Sequence, residues 1–352
     1  MTIIKKSLTL FLAFTLSNLT IAQNDTIKAK ILDDGSQDAE KFYNSGISDF
    51  ADKNYAGALS NFNHAIEKKP DFEKAYYNRG ITEFETKSYK AAIADYDKSL
   101  SYIQSADSYF SRGQAKYALG DKPGALADYS KTIEIKGDHA QAFYYRGGIK
   151  FENADYKGAV DDFNQAIKLK PDYAYAYNDR GSAKRELEDI PGAINDYNKA
   201  LSTNPEMAFT YNNLASAKRK KGDLKGAIND YTEAINQKKD YYIAYNNRGS
   251  AKYDAGDYDG AISDFDKAIK LKPDYAFAFN NRASAKCKLK DYQGCIDDCS
   301  AAIKLNTSYG YAYLNRGIAK ESLRDPEGAC ADWEKATELG IESAKNYTGD
   351  CK

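Results

Sequence analysis

The sequence repeats itself with a period of 34 residues. Starting from Gly249, a glycine or alanine recurs at Gly46, Gly80, Gly113, Gly147, Gly181, Ala215, Ala283 and Gly317. All spacings between neighbours in this series are 34 residues, except one of 33. Nine repeats therefore cover residues 39–343, with starts near residues 39, 73, 106, 140, 174, 208, 242, 276 and 310. Such a chain folds as a stack of small repeats rather than as two or three globular domains.

Each repeat predicts two α-helices joined by a short turn. We number the positions of a repeat from 1 to 34, so that Tyr242 is position 1 of the seventh repeat. In that repeat, small and apolar residues lie three or four apart on both sides of Gly256, which is the spacing of one helix face. Asp257 is a favourable N-cap for the second helix. All seven prolines lie between repeats or in the first turn of a second helix, where a missing N–H costs little.

Three columns of the repeat predict how the helices pack. Position 8 is glycine or alanine, and position 20 is alanine in eight repeats and Cys295 in the other. Small residues at these positions allow two helices to approach closely. Position 24 is large at Phe62, Tyr96, Tyr129, Phe163, Tyr197, Tyr231, Phe265 and Trp333. We expect these rings to fill the space between neighbouring hairpins, because one hairpin cannot bury its own apolar face.

This pattern resembles the tetratricopeptide repeat (TPR) at positions 4, 8, 20, 24, 27 and 32, over nearly the whole chain after residue 38. The resemblance implies an all-α, right-handed superhelical solenoid of about nine helical hairpins, with the first helices lining a concave face. It implies an interaction scaffold without catalytic residues. Position 7 departs from the family, because arginine occupies it where a large aliphatic residue is usual. Residues 344–352 form the expected C-terminal cap or tail. Ile341, Ala344 and Tyr347 could build a short capping helix over Trp333.

Charged side chains occupy three columns. Position 7 is Arg79, Arg112, Arg146, Arg180, Arg248, Arg282 and Arg316, against Ser45 and Leu214. Position 23 is Asp95, Asp128, Asp162, Asp196, Asp230, Asp264, Asp298 and Asp332, against Asn61. The first repeat lacks both partners, so we predict Arg–Asp pairs between the two helices of a hairpin; solvated charges are the alternative. Lysine at position 11 suits the negative pole at the end of the first helix, and we expect its contribution to be structural and small.

Function is expected on the first helices. The resemblance implies that positions 2, 5, 6 and 9 face the groove. Aromatic residues occupy position 5 in the early repeats at Tyr43, Tyr77, Phe110 and Tyr144. Amides occupy positions 5 and 6 in the later ones at Asn178, Asn212, Asn213, Asn246, Asn247, Asn280, Asn281 and Asn315. Position 2 of the later repeats adds Tyr175, Phe209, Ile243, Phe277 and Tyr311.

An asparagine side chain offers a hydrogen-bond donor and an acceptor, which suits the backbone of an extended peptide. The sequence therefore predicts a non-enzymatic scaffold that binds a peptide or protein segment in its groove; the alternative for the asparagines is a common family residue. A second hypothesis is an architectural or self-assembling component of a cell-envelope complex. No position 5 carries lysine, so capture of a free C-terminal carboxylate is not expected. The net charge of −1, without a basic stripe, argues against nucleic acid as a partner.

The amino terminus predicts export. The basic start MTIIKK precedes the apolar run SLTLFLAFTLSNLTIA and a small residue, Ala22. This order is typical of a signal peptide, here residues 1–22, and the run is too short and polar for a membrane span. An uncleaved amphipathic start or anchor is the alternative. Residues 23–38 would form a leader of a periplasmic or secreted protein without a membrane span in its mature form.

Five cysteines lie near the carboxy end. An oxidising compartment permits disulfides, and we consider the pairs Cys330–Cys351 and Cys287–Cys295, with free thiols as the alternative. A metal site is not expected, because His64 and His139 are the only histidines and both lie far away in sequence. No residue pattern indicates a cofactor, and no base accompanies a cysteine, so an enzyme is not expected.

Overall fold

The computed structural model describes residues 34–349 and Cys351. The predicted signal peptide and most of the predicted leader lie outside these residues. The chain divides into two compact parts, which we call the N-terminal module, up to Ala183, and the C-terminal module, from Lys184. In the described residues every regular element is helical, so the predicted all-α class is confirmed. None of the described helices combines the length and the apolar character that crossing a bilayer requires.

The N-terminal module contains four hairpins and the greater part of a ninth helix. Its helices are α1 (Asp34–Ala51), α2 (Tyr55–Lys68), α3 (Glu73–Glu85), α4 (Tyr89–Tyr102), α5 (Ala106–Ala118), α6 (Lys122–Ile135), α7 (Ala140–Glu152), α8 (Tyr156–Leu169) and α9 (Ala174–Glu186). Consecutive helices α1–α8 pack on each other within this module. Helix α1 begins at Asp34, so residues 34–38 of the predicted leader lie in the first helix.

The C-terminal module starts within the last turn of α9. Its helices are α10 (Ile190–Thr203), α11 (Ala208–Lys220), α12 (Leu224–Gln237), α13 (Tyr242–Asp254), α14 (Tyr258–Leu271), α15 (Ala276–Lys288), α16 (Tyr292–Leu305), α17 (Gly310–Ser322), α18 (Pro326–Glu338) and α19 (Lys345–Thr348). A short 3-10 turn, Glu342–Ala344, precedes α19. Helices α11–α18 form four further hairpins, which confirms the pairing that the 34-residue period predicts.

Local sequence fixes the start of each second helix. The carboxylate of Asp257 accepts a hydrogen bond from the backbone N–H of Gly260 at 2.9 Å, which satisfies one of the free N–H groups at the helix start. The same cap recurs at Asp121, Asp155, Asp189, Asp223, Asp291 and Asp325. The predicted N-cap is therefore confirmed.

Close packing within a hairpin depends on the small column. A Cβ atom on Gly249 would lie 2.7 Å from the ring of Phe265, closer than atoms in a well-packed interior approach. The same ring is almost fully buried, with 1% of its surface exposed. The other rings at position 24 are also buried: Phe62, Tyr96, Tyr129, Phe163, Tyr197, Tyr231 and Trp333. Phe265 also lies in one buried cluster with Ala285 of the next hairpin, and Tyr129 with Ala142, so the predicted filling of the space between neighbouring hairpins is confirmed.

The C-terminal module ends in the predicted cap. The 3-10 turn and α19 pack on α18, where the ring of Tyr347 stacks on Trp333 with centroids 5.0 Å apart. Ala344 is fully buried in this contact. A Cβ on Gly310 would lie 2.5 Å from Ile341, so glycine at this position allows the cap to approach α17.

Candidate protein-binding surface

The first helices are held in place by the predicted arginine–aspartate pairs. Arg248 donates from Nε and Nη2 to the two carboxylate oxygens of Asp264, at 2.9 and 2.7 Å. Its third nitrogen, Nη1, donates to Thr232 on the preceding hairpin at 3.0 Å, and its guanidinium lies 5.6 Å from the ring centre of Tyr245. Equivalent pairs are Arg79–Asp95, Arg112–Asp128, Arg146–Asp162, Arg282–Asp298 and Arg316–Asp332. Arginine at position 7 therefore joins the helices of one hairpin and also bridges two hairpins.

Lysine at position 11 contacts the same aspartate, which the sequence analysis missed. The ammonium of Lys252 lies 2.8 Å from Asp264 and donates to the carbonyl of Gly260 at 3.3 Å. The same lysine–aspartate contact occurs at Lys116, Lys150, Lys184, Lys218, Lys286 and Lys320. The expectation that this lysine mainly offsets the helix dipole is therefore incomplete. The lysine and the aspartate are separated by the same number of residues in all seven repeats, and this constant spacing was the signal that could have revealed the contact.

Two hairpins show how the pairing changes when a partner is missing. Leu214 occupies position 7 of the sixth hairpin, and Asp230 there contacts Lys218 at 2.6 Å. Burial raises the pKa of Asp230 above its ordinary value, although Lys218 opposes the shift. In the first hairpin the carboxylate lies on the first helix instead of the second. Asp49 there accepts hydrogen bonds from Asn54 and Asn61 at 2.8 and 2.7 Å.

The asparagines at position 5 lie beneath the surface. Asn212, Asn246 and Asn280 are 5–8% exposed, and Asn178 is 3% exposed. The expectation that position 5 faces an open groove is therefore wrong for these residues. One residue along a helix turns the side chain by about 100°, which places position 6 rather than position 5 towards the outside.

The buried amides accept hydrogen bonds from the next hairpin. Asn247 donates to the side-chain oxygen of Asn212 at 3.0 Å. Asn281 donates in the same way to Asn246, and Asn315 to Asn280, each at 3.0 Å. We call this series of bonds from position 6 to position 5 of the preceding hairpin the amide ladder. Because buried polar groups need partners, the ladder fixes the relative position of neighbouring first helices.

In the N-terminal module, aromatic residues at position 5 connect neighbouring first helices, as the amide ladder does in the C-terminal module. Phe110 and Tyr144 are buried, and Tyr43 and Tyr77 are half-buried. Their rings pack on the position-24 rings, with centroids 5.7–5.9 Å apart. The hydroxyl of Tyr43 accepts from Asn78 at 3.0 Å, and that of Tyr144 donates to Asp179 at 2.8 Å. Burial raises the pKa of Tyr43 and of Tyr77 to about 12, so both hydroxyls stay protonated at ordinary pH.

The partly exposed face of the first helices is formed by positions 2, 6 and 9. Positions 2 and 6 are four residues apart and therefore adjacent on a helix. In the last four hairpins this face consists of uncharged residues, namely Phe209, Asn213, Ser216, Ile243, Asn247, Ser250, Phe277, Asn281, Ser284, Tyr311, Asn315 and Ile318, and all are partly exposed. We call it the amide–apolar face. Tyr175 at position 2 of the fifth repeat lies in the N-terminal module and is also partly exposed.

Tyrosines from the loops support this face. The ring of Phe277 lies 5.5 Å from Tyr275 and 5.1 Å from Tyr309. Tyr275 in turn meets Tyr242 at 5.1 Å. Burial raises the pKa of Tyr275 to about 12, and the pKa of Tyr309 is raised by burial as well. The apolar part of the amide–apolar face is therefore backed by neutral rings rather than by charge.

The structure brings together both predicted cysteine pairs. Cys287 is joined to Cys295 and Cys330 to Cys351, with Cα atoms 5.5 Å apart in each pair. Cys299 is a free, buried cysteine, and burial raises the pKa of its thiol to about 12. A thiol with so high a pKa is a poor nucleophile. Among the described residues there is no group of three or more metal-binding side chains.

Stacked helical hairpins with this side-chain pattern define an all-α repeat protein. Sequence models of the tetratricopeptide repeat match residues 43–109, 147–184, 174–207, 210–241 and 242–275. Together these matches cover more than half of the chain, and it belongs to the tetratricopeptide repeat family. Proteins of this family generally mediate protein–protein interactions, and their fold is typically a scaffold without catalytic function. A comparison with curated protein sequences gives no match.

Solved TPR structures share this fold at low sequence identity. The C-terminal part of a TPR repeat-containing protein from Cytophaga hutchinsonii is 18% identical, with a TM-score of 0.56 over 68% of this chain and 98% of that one. A TPR protein from Parabacteroides merdae is 18% identical, with a TM-score of 0.53 over 71% and 99%. PilF of Pseudomonas aeruginosa is 17% identical, with a TM-score of 0.53 over 60% and 97%. Identities this low support the fold alone.

Proposed function

We propose that this chain binds an uncharged segment of a partner protein on the amide–apolar face of the C-terminal module. The observation that carries the proposal is the partial exposure of Asn247, Asn281 and Asn315 beside apolar residues at position 2. Each asparagine is oriented by the amide ladder, so little conformational entropy is lost on binding. The side-chain oxygens of these asparagines can accept hydrogen bonds from the N–H groups of an extended backbone, and apolar neighbours can pack on its side chains.

Replacing two apolar residues of this face tests the proposal. We choose Ile243→Ala with Phe277→Ala and leave the asparagines intact, because their loss would also weaken the amide ladder. The matched control is Leu271→Ala with Leu305→Ala, which removes two apolar side chains, 40% and 42% exposed, from second helices. Partners are identified by crosslinking in intact cells followed by quantitative mass spectrometry. Truncation of two contact residues should lower the yield of the partner segment about tenfold, while the control keeps it.

Equal yields from both variants and the unchanged chain would reject this face as the binding site. Loss of crosslinks between copies of this chain, with other partners retained, would instead favour the architectural role. Circular dichroism of both variants should match that of the unchanged chain, since the replaced side chains are partly exposed.

We also propose that the chain is exported to the periplasm or outside the cell. The order of charged, apolar and small residues in residues 1–22 supports this, and the two joined cysteine pairs suit an oxidising compartment. Protein purified from cells should begin at Gln23, as measured by intact mass and N-terminal sequencing. A chain that retains Met1 would contradict cleavage, and its recovery from the cytoplasmic fraction would contradict export.

A further inference from the structure

Seven hairpins contain a cation between their two helices in the form of the lysine at position 11. In each of them the ammonium lies 2.6–2.8 Å from the aspartate at position 23. In three it also donates to the carbonyl at position 19, at 3.2–3.5 Å. In hairpins that also have the arginine, one carboxylate therefore contacts two positive groups.

The second hairpin has a carboxylate in place of this cation. Position 11 is Glu83 on α3, and the partner aspartate on α4 is Asp95. Oε2 of Glu83 is buried and has no hydrogen-bond partner. Arg79 already donates two hydrogen bonds to Asp95 and one to Asn63, all at 2.6 Å. The same space therefore holds two carboxylates and one guanidinium.

The charges around Glu83 oppose its ionisation. Burial and the neighbouring Asp95 raise the pKa of Glu83 to about 7, while Arg79 lowers it. The charged groups that shift the pKa of Glu83 are Arg79 on α3 and Asp95 on α4. The nearby Tyr96 stays neutral, because burial raises its pKa well above 10. When Glu83 is ionised, the second hairpin therefore has a second negative charge at the position where other hairpins have the positive charge of lysine.

We propose that the second hairpin is a proton-sensitive contact, in which protonation of the Glu83–Asp95 pair tightens α3 against α4 and loss of the proton loosens them. A protonated Glu83 is neutral and can donate its O–H to Asp95, whereas ionised Glu83 places two like charges side by side. The hairpin of α13 and α14, in which Arg248 and Lys252 both contact Asp264, has no such pair and should not respond. The N-terminal module would then become locally less stable on passing from acidic to alkaline surroundings.

The direction in which the stability of the second hairpin changes with pH follows from proton linkage. A raised pKa means that the folded hairpin holds a proton which the opened hairpin releases. The stabilisation is complete below the ordinary glutamate pKa of 4.5 and is lost as the pH rises to about 7. With these two pKa values, the equilibrium constant for opening of the hairpin increases about tenfold between pH 6 and pH 8.

Amide hydrogen exchange of the whole purified chain, resolved by mass spectrometry of peptides, measures this opening. After correction for intrinsic exchange rates, α3 and α4 should open about tenfold more at pH 8 than at pH 6. Peptides from α13 and α14, which contain the Arg248–Lys252–Asp264 group, serve as the internal control and should show no such change.

Two variants separate this proposal from general alkaline loosening. Glu83→Gln keeps the size of the side chain and removes the charge, so the pH dependence of α3 and α4 should disappear. Glu83→Lys restores the group seen in other hairpins and should also raise protection at pH 8. The proposal is overturned if α3 and α4 of the unchanged chain respond to pH no more than α13 and α14, or if Glu83→Gln keeps the full response.

Discussion

At the residue scale, comparison between repeats predicts contacts when two columns change together. The first repeat lacks both the arginine and the aspartate, and the structure confirms the pairing in six other repeats. The same reasoning failed at position 5, whose residues are aromatic in some repeats and amide in others. Aromatic rings and amides both occur on binding surfaces, so residue type did not reveal that position 5 is buried. Only the orientation of the helix, with Asn246 inward and Asn247 outward, decides this.

A double-mutant cycle tests the arginine–aspartate pair of the seventh hairpin. Removing Asp264 leaves Arg248 and Lys252 without their shared partner, so the single and double variants should not be additive. We expect a coupling of about 1–2 kcal/mol between Arg248→Ala and Asp264→Ala, because the side chains are only 17% and 4% exposed. The free energy of opening is measured by hydrogen exchange of α13 and α14.

The exposed pair Lys272–Asp274 is the control for this cycle. Its side chains are 45% and 62% exposed, and solvent screens such pairs, so no measurable coupling is expected there. A coupling below roughly 0.5 kcal/mol for Arg248 and Asp264 would show that the two charges act independently.

At the element scale, the repeat period predicts the helices better than the turns between them. Asp257 correctly marks the start of α14, because a carboxylate there satisfies a free N–H. The turn residue at position 15 adopts a left-handed conformation, with φ of 84° at Gly256 and 63° at Lys290. Six such residues are not glycine: Lys53, Lys87, Ala154, Glu188, Lys290 and Arg324. The left-handed turn is therefore imposed by the packing of the two helices and not by a local glycine signal.

At the scale of the whole molecule, the sequence predicts a first repeat without the arginine–aspartate pair and a last repeat that is capped. Ser45 and Asn61 replace charged residues in the first hairpin, where Asp49 accepts hydrogen bonds from Asn54 and Asn61. At the other end α19 covers Trp333. The period could not show how the cap is held, because residues 344–352 are too short to reveal a repeat. The cysteine pair Cys330–Cys351 supplies that attachment.

Opening this disulfide tests both the cap and the cysteine pairing. Trp333 is the only tryptophan, and it is 6% exposed beneath Tyr347. The cysteines are 21 residues apart, so loop closure contributes about 3 kcal/mol to retention of the cap. Reduction, or Cys330→Ser, should therefore release α19 and shift the fluorescence of Trp333 to longer wavelength.

Cys287→Ser is the matched control, because it opens a disulfide in the preceding hairpin and leaves the cap attached. Its Trp333 emission should equal that of the unchanged chain. Thiol counting on the denatured protein should give one reactive thiol, from Cys299, before reduction and five afterwards. Five thiols before reduction would contradict both pairs. An emission unchanged by Cys330→Ser would show that apolar packing of Ile341, Ala344 and Tyr347 holds the cap without the disulfide.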